Sequence, residues 1–426
     1  MQKMKYSGVE WIGEIPEDWG IVKVKQAFIR KNEKAQQENP VVLSLARSGV
    51  RVRDVSTNEG QVAESYYNYN PVSIGDLLLN PMDLYSGANC SISEVEGVIS
   101  PAYVNLRNRN GYYSKFYDYY FKVQYWMMVL FAHGKGVSFD NRWTLNNETL
   151  MNFPVVSPDY DTQRRIADFL DDKCGKIDRY IEKQQQIIDK LKEYKQAVIT
   201  EAVTKGLNPE VPMKDSGIEW IGMIPKHWDV HKFCWDYNSS LGKMLDTKRV
   251  KGTFLFKYIK NTNVHWGSID LNDLDEMDFD FSELDRYSLQ PGDLMICEGG
   301  EIGKCAIIPN DFPKNIFYQK ALHRVRPVSD DSNNEFLFYV MFCMAKNNYF
   351  FSSSEKATIA HLPGDTLNSL RIPFPPKKEQ EFLVQHLNDE SSKIDCAIAK
   401  QTSIIEKLTE YKKSLIYEAV TGKLEV

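Results

Sequence analysis

The sequence predicts an α+β protein in which two mixed α/β domains alternate with two long coiled-coil helices. Three observations support this prediction. A tryptophan-containing opening segment occurs twice, a long apolar heptad pattern occurs twice, and the residues between these segments differ almost everywhere. Because an internal repeat determines the architecture of the whole chain, the repeats are the first feature to interpret.

The opening segment is the first repeat. KYSGVEWIGEIPEDW at 5–19 returns as KDSGIEWIGMIPKHW at 214–228, so that Trp11 corresponds to Trp220. We therefore expect each half of the chain to begin with the same local structure.

The second repeat has the pattern of long helices. Residues 176–206 return at 393–423, so that Ile177 corresponds to Ile394, with apolar side chains at heptad spacing, which predicts a coiled coil. Proline precedes each pattern, and Gly206 or Gly422 follows it, as expected at helix ends. The side chains predicted to pair are Leu170, Ile177, Gln184, Leu191, Val198, Leu387, Ile394, Gln401, Leu408 and Leu415. The alternative is two separate amphipathic helices, each packed on its own domain.

The repeat is cyclic, because the offset from Trp11 to Trp220 and the offset from Ile177 to Ile394 together equal the chain length of 426 residues. Joining the end of the chain to its beginning would recreate the internal junction, which predicts a pseudo-twofold arrangement. Between the repeats, short β-branched runs at 41–43 and 305–308 predict strands. Aromatic-rich runs at 114–131 and 334–345 predict helices whose rings belong to the core rather than to base stacking. The predicted segments are residues 1–155, 156–212, 213–373 and 374–426.

Composition narrows the class of protein. A content of 42% hydrophobic and 26% charged residues excludes wholesale disorder. The chain has no apolar run near the roughly 18 residues that span a bilayer and no signal-peptide core, which predicts a cytoplasmic protein without a membrane partner. The net charge of −6 is not typical of a nucleic-acid-binding protein. However, the acidity is concentrated between Asp270 and Asp285, a stretch that we expect to face solvent or a protein partner.

Two short motifs imitate those of nucleotide-processing enzymes. The run EGGEIGK at 298–304 resembles a phosphate-binding loop, but Glu298 and Cys305 replace the glycine and the Ser or Thr that this loop needs. We interpret it as a tight loop between strands. Asn80-Pro81-Met82-Asp83 begins like the motif of adenine methyltransferases, lacks its second proline and its aromatic residue, and is interpreted as a turn.

Metal-dependent chemistry is also poorly supported. Asp171, Asp172 and Lys173 imitate a nuclease D-x-K, but residues two apart on a helix point to different faces. His227, His231 and Cys234 have zinc-like spacing without a nearby fourth ligand. The sequence thus predicts no enzyme activity and no metal site.

Several segments of the sequence resemble those of a known protein family. The two W-I-G-x-I-P-x-x-W openings, the segments 298–304 and 356–380, and the long helices ending in EAVTKGL or EAVTGKL are similar to the specificity subunits of type I restriction-modification systems. The first copy departs at Asp161-Thr162-Gln163, where the second has Lys378-Glu379-Gln380. The resemblance implies two target recognition domains, each reading half of a split DNA sequence. It also implies an antiparallel pair of helices that separates them.

The resemblance further implies the partners. These are double-stranded DNA, two methyltransferase subunits and, through them, restriction and translocase subunits. S-adenosylmethionine, ATP and Mg²⁺ would belong to those partners, and this chain would hold no cofactor. Two rival hypotheses are a fused methyltransferase-nuclease and a coiled-coil scaffold that does not read DNA.

The best candidates for DNA contact are basic and polar residues of loops. They are Arg47, Ser48, Arg51, Arg53, Lys135, Ser138, Arg142, Lys243, Lys248, Arg249, Lys260, Asn261, Lys304, Lys356 and Thr358. Arg47, Arg51 and Arg53 alternate as on one strand, which would bring all three to one face.

Overall fold

The structure is a computed structural model that describes residues 3–55, 63–82, 84–85, 87, 89–136, 143–245, 252, 254–352 and 361–426. The chain packs into two compact units. Unit 1 comprises Met1–Gln185 with Thr402–Val426, and unit 2 comprises Gln186–Gln401. Both unit boundaries lie inside long helices, so each helix contributes to both units. The four segments predicted from the sequence follow the repeats instead, and as domain boundaries they stay a prediction.

Unit 1 is built on an antiparallel sheet. Its strands are β1 (Met4–Tyr6), β2 (Glu14–Pro16), β3 (Gly20–Lys23), β4 (Phe28–Lys31), β5 (Leu43–Ala46), β6 (Gly49–Val52), β7 (Asn70–Val72), β8 (Leu77–Leu79), β9 (Cys90–Ile92), β10 (Gly97–Ile99), β11 (Val104–Asn108) and β12 (Pro154–Ser157). Its helices are α1 (Val24–Ala27), α2 (Ser114–Trp126), α3 (Val129–Ala132), α4 (Asn147–Asn152) and α5 (Tyr160–Lys205). The main sheet has the order β4-β11-β8-β9, and smaller pairs join β1 to β2, β3 to β12, β5 to β6 and β7 to β10.

The aromatic run of unit 1 forms its core, as the sequence predicts. Five rings of α2 are fully buried: Phe116, Tyr117, Tyr120, Phe121 and Tyr125. The single helix predicted over 114–131 is wrong beyond Trp126. Met128 adopts a left-handed conformation with φ 59°, which ends α2 and separates it from α3.

Unit 2 shares the strand order of the main sheet with unit 1 but differs in its smaller sheets. Its strands are β13 (Met213–Asp215), β14 (Met223–Pro225), β15 (Asp229–Lys232), β16 (Tyr237–Leu241), β17 (Leu255–Ile259), β18 (Val264–His265), β19 (Ser268–Ile269), β20 (Asp275–Asp278), β21 (Leu294–Cys297), β22 (Cys305–Ile307), β23 (Phe317–Tyr318), β24 (Leu322–Pro327) and β25 (Arg371–Phe374). Its helices are α6 (Phe233–Asp236), a 3₁₀ helix (Phe281–Glu283), α7 (Leu284–Tyr287), α8 (Asn334–Lys346), α9 (Tyr349–Ser352), α10 (Gly364–Ser369) and α11 (Lys377–Val420). The main sheet has the order β16-β24-β21-β22, the same plan as in unit 1.

The two long helices form where the heptad patterns predict them. Helix α5 begins two residues after Pro158 and ends before Gly206, and α11 begins directly after Pro376 and ends shortly before Gly422. Both glycines have φ 71°, the conformation that favours glycine at a helix end. All ten side chains predicted to pair are buried or partly buried.

Packing of α5 against α11 occurs within each unit. In unit 1, Leu170 and Ile177 of α5 share a core with Leu415 of α11. In unit 2, Val198 of α5 packs against the core that contains Leu387 of α11. These contacts support mutual packing over separate helices, whereas antiparallel pairing along the full length of the helices stays a prediction.

Candidate nucleic-acid interface

The two units build the same arrangement of loops at one end of the main sheet. In unit 1 the amide of Leu145 donates to the carbonyl of Pro81 (2.8 Å), in the loop that follows β8. In unit 2 the amide of Leu362 donates to the carbonyl of Glu298 (2.7 Å), in the loop that follows β21. The two donors, and likewise the two acceptors, are related by the same offset as the helical repeat. Because the shared backbone carries different side chains, it can present different chemistry in each unit.

The arginine group of unit 1 lies on the β5–β6 hairpin. Arg47 and Ser48 form its two-residue turn, and Nη2 of Arg51 donates to Oγ of Ser48 (3.1 Å). The prediction that Arg47, Arg51 and Arg53 alternate along one strand is therefore wrong, since the chain reverses direction directly after Arg47. Arg51 lies on β6, and Arg53 follows that strand, where its amide donates to the carbonyl of Val42 (2.8 Å). Arg47, Ser48 and Arg51 are all exposed at this end of the hairpin.

Lys135 lies at the base of the second candidate segment of unit 1. Lys135 and Thr144 exchange two backbone hydrogen bonds (2.8 and 3.0 Å), which bring the two ends of the intervening segment together. The indole of Trp143 donates to the carbonyl of Phe131 (2.8 Å) and closes over Gly134. The candidates Ser138 and Arg142 lie outside the described residues.

Residues 298–304, here called the glycine loop, join two antiparallel strands of unit 2, as the sequence predicts. A phosphate-binding loop would lead from a strand into a helix, so this interpretation stays rejected. A Cβ on Gly299 would lie 3.1 Å from Nδ1 of His361, and one on Gly300 would lie 3.2 Å from Nδ2 of Asn261. The candidate Asn261 and the previously unsuspected His361 therefore flank the exposed backbone of the loop.

A buried histidine is bonded to the segment that contacts the glycine loop. His323 is buried, and its Nε2 donates to the carbonyl of Leu362 (2.9 Å), the residue that is bonded to Glu298. Burial lowers the pKa of His323, so the neutral ring is the form that fits this position. Burial also raises the pKa of Cys297 to about 12, which makes its thiol unreactive.

Two of the candidate lysines of unit 2 are held by the acidic stretch. Nζ of Lys260 pairs with Asp275 (2.7 Å), and this hydrogen bond raises the pKa of Lys260. Lys243 pairs with Glu283 and lies 5.2 Å from the ring centroid of Phe279. Burial opposes ionisation of Glu283, but the hydrogen bonds from Lys243 and from the amide of Asp280, together with the positive charges of Lys243 and Arg286, lower the pKa of Glu283. Five of the eight carboxylates of the acidic stretch are exposed, and two carboxylates of the stretch pair with these lysines.

The remaining candidates divide by location. Lys304 is partly buried at the end of the glycine loop and forms no ion pair with the described residues. Lys248, Arg249, Lys356 and Thr358 lie outside the described residues.

Sequence reasoning missed the two glutamines that anchor the long helices. Gln163 and Gln380 are fully buried, and each donates from Nε2 to the carbonyl of a proline (Pro158 or Pro375) at 2.8 Å. Both also donate to a loop preceding the aromatic helix of their unit. The recurrence of glutamine at equivalent positions of the two helical repeats was the signal available in the sequence. The first copy differs from the family pattern at Asp161 and Thr162 but keeps Gln163, the residue that makes these bonds.

The motifs considered for chemistry have structural partners in the described part of the chain. Asn80 accepts from the amide of Met82 (3.0 Å), which confirms the turn. His227 bonds to Glu379 (2.8 Å), and His231 bonds to Asp236 (2.9 Å). The described residues contain no group of three or more His, Cys, Asp or Glu suited to holding a metal ion. Over the same residues, no helix is both long and apolar enough to cross a membrane.

Comparison with known proteins shows which proteins this chain resembles. Residues 240–409 match the type I restriction modification DNA specificity domain. The resemblance to type I specificity subunits is confirmed. The chain is 23% identical to the EcoKI specificity subunit of Escherichia coli (strain K12) over 282 residues, which cover 65% of this chain and 58% of that protein. It is 21% identical to the Escherichia coli EcoBI specificity subunit over 404 residues, which cover 88% of this chain and 79% of that protein.

A solved structure shares the fold of this chain. It comes from a study of the structural basis underlying complex assembly and conformational transition of the type I R-M system. The superposition has a TM-score of 0.72 and covers 96% of this chain and 99% of the other, at 13% identity. At that identity the likeness concerns the fold alone, so the residues that read DNA have to be argued from this chain.

Proposed function

We propose that this chain is the DNA specificity subunit of a type I restriction-modification complex and reads a bipartite, asymmetric double-stranded target. The observation that carries the proposal is the repeated loop arrangement, with Leu145 bonded to Pro81 and Leu362 bonded to Glu298. One backbone plan presents arginines in unit 1 and lysines with Asn261 and His361 in unit 2. Two surfaces of the same construction but different chemistry suit a target whose halves differ in sequence.

The proposed partners follow from the family rather than from a site in this chain. Two methyltransferase subunits would dock on the chain, and restriction and translocase subunits would join through them. S-adenosylmethionine, ATP and Mg²⁺ would be held by these partners, and this chain would select the DNA without catalysing a reaction.

A pseudo-twofold relation between the repeats is part of the proposal. In unit 1, Asp178 of α5 pairs with Lys412 of α11 (2.6 Å). In unit 2, Lys195 of α5 pairs with Asp395 of α11 (2.7 Å). The two aspartates occupy equivalent positions of the helical repeat, and so do the two lysines. The same ion pair thus recurs with the roles of the helices exchanged, which supports an antiparallel pairing of α5 with α11.

An exchange experiment tests the division of the target. The chain is expressed with its methyltransferase partners, and methylated adenines are mapped across the host genome. Replacing residues 20–153 with the equivalent segment of another specificity subunit should change one half of the methylated sequence and leave the other half intact. A change in both halves, or in neither, would contradict the proposal that each recognition domain reads one half of the target. Methylation without any sequence preference would instead favour a scaffold that does not read DNA.

A further inference from the structure

The turn between β23 and β24 places an exposed lysine at the centre of the candidate interface of unit 2. The amide of Lys320 donates to the carbonyl of Lys243 (2.8 Å), and the amide of Glu298 donates to the carbonyl of Ala321 (2.9 Å). One residue earlier, the amide of Gln319 donates to the carbonyl of Ile259 (3.1 Å), beside Lys260. Three segments that the sequence singled out for DNA contact therefore meet at Lys320, which the sequence did not single out.

The lysines near this turn differ in whether their ammonium groups are free to bind a phosphate. Lys243 and Lys260 are paired with Glu283 and Asp275, so phosphate would have to displace a carboxylate to reach them. Lys320 is exposed, and among the described residues no carboxylate lies within ion-pair distance of its amino group. An ammonium group on a flexible stem, held in water beside a glycine loop, is suited to a phosphate as a point charge.

The fold does not require a lysine at this position. Arg107 and Arg326 are equivalent, because each pairs with the buried aspartate that immediately precedes β8 or β21 (Asp76 or Asp293). Counting back the same number of positions from each arginine aligns Lys320 with Pro101 of unit 1. The same turn therefore forms with proline in one unit and lysine in the other.

We propose that Lys320 is a phosphate contact of the DNA bound by unit 2, and that Lys243 and Lys260 act chiefly as anchors for the acidic stretch. This inference rests on the proposed function and names a residue of that same interface. The contact would orient the half-site without reading its bases, since phosphate contacts set register rather than sequence preference.

The test measures the salt dependence of DNA binding by the full-length chain with a mixed-sequence duplex of about 40 base pairs as the probe. Each phosphate contact contributes a slope of about −0.9 to the plot of log K against log salt concentration. Lys320→Gln should reduce the magnitude of the slope by about that amount. The control is Lys314→Gln, which removes another exposed lysine, from the loop preceding β23, and should leave the slope nearly unchanged.

The outcomes separate the inference from the function on which it rests. Equal slopes for Lys320→Gln and the unmodified chain, or equal reductions in both variants, would overturn the assignment of Lys320. Absence of salt-dependent binding by the unmodified chain would overturn the proposed function and the inference together. Thermal unfolding of both variants is the control. Midpoint temperatures equal to that of the unmodified chain would show that neither result reflects loss of folding.

Discussion

His323 connects the core of unit 2 to the candidate interface through a single hydrogen bond. Its neutral ring donates to the carbonyl of Leu362, which in turn fixes the glycine loop through Glu298. Because burial lowers its pKa, the folded protein keeps the ring neutral at pH values where the unfolded chain binds a proton. The stabilising contribution is fully present above the unfolded pKa of 6.5 and is lost as the pH falls through the folded pKa.

We therefore expect His323→Gln to reduce the acid sensitivity of the protein. At pH 7.5 the variant should be less stable by about 1–2 kcal/mol, because a well-packed buried ring is replaced. At pH 5.5 the difference between the two proteins should become smaller, since only the unmodified chain must exclude a proton at this position. Urea unfolding at both pH values measures the two differences. A difference that stays constant or grows on acidification would contradict this role for His323.

Single residues were the part of the site least accessible from the sequence. Lys243 and Lys260 pair with carboxylates that lie far along the chain, on Glu283 and Asp275, and no local pattern announces such pairs. Lys320 has no distinctive neighbours in the sequence, and the place of its turn is set by hydrogen bonds to three segments that are distant along the chain. Arg47 shows a different error: alternate spacing predicted a strand, but the chain turns there.

The ends of the long helices provide a prediction at the level of secondary structure. Gly422 has φ 71°, and a Cβ at this position would overlap the ring of Pro16. Gly175, inside α5, has open space where its Cβ would lie and no positive φ. Gly422→Ala should therefore destabilise the protein by several kcal/mol, through strain and overlap together. Gly175→Ala should stabilise it by about 0.8–1 kcal/mol, because alanine favours a helix interior.

Chemical unfolding of the two glycine variants measures this contrast. Since both exchanges add one methyl group to the same chain, their opposite signs would report on local geometry alone. Similar effects for Gly422→Ala and Gly175→Ala would refute the view that the end of α11 packs closely against the opening motif. That view also gives the repeated motif a structural role, because Gly206 lies in the same way against Trp228 and Pro225.

Elements were predictable where a periodic pattern was long enough to dominate. Forty-six residues of α5 and 44 of α11 follow the heptads closely, and proline and glycine mark their ends. Prediction failed for the run over 114–131, where apolar residues continue past Trp126 but the backbone of Met128 turns left-handed. Composition cannot reveal that break, because Met127 and Met128 are ordinary helix-forming residues.

At the scale of the whole molecule, the cyclic repeat has a counterpart in local structure. In unit 1 the amide of Glu17 donates to the carbonyl of Lys3 (2.9 Å), and in unit 2 the amide of Lys226 donates to the carbonyl of Pro212 (2.7 Å). These two bonds are related by the same offset as Trp11 and Trp220. In unit 2 a continuous chain leads from the end of α5 to Pro212. In unit 1 the end of α11 and the segment beginning at Lys3 meet on Pro16 and Glu17 without being joined.

A circular permutant tests whether that junction can be moved. The step from Leu207 to Pro212 is as long as the step from Leu424 to Lys3 would be if Val426 were joined directly to Met1. The new bond therefore needs no added linker, and opening the chain at Asn208, which is exposed, breaks no secondary structure. We expect the permutant to fold, to have a free energy of unfolding within about 1 kcal/mol of that of the parent, and to direct methylation to the same DNA sequence. A second permutant opened between Val325 and Arg326 interrupts the central strand β24 and should fail to fold. If the first permutant also failed, or folded but changed its target, the cyclic symmetry of the sequence would have no equivalent in the structure.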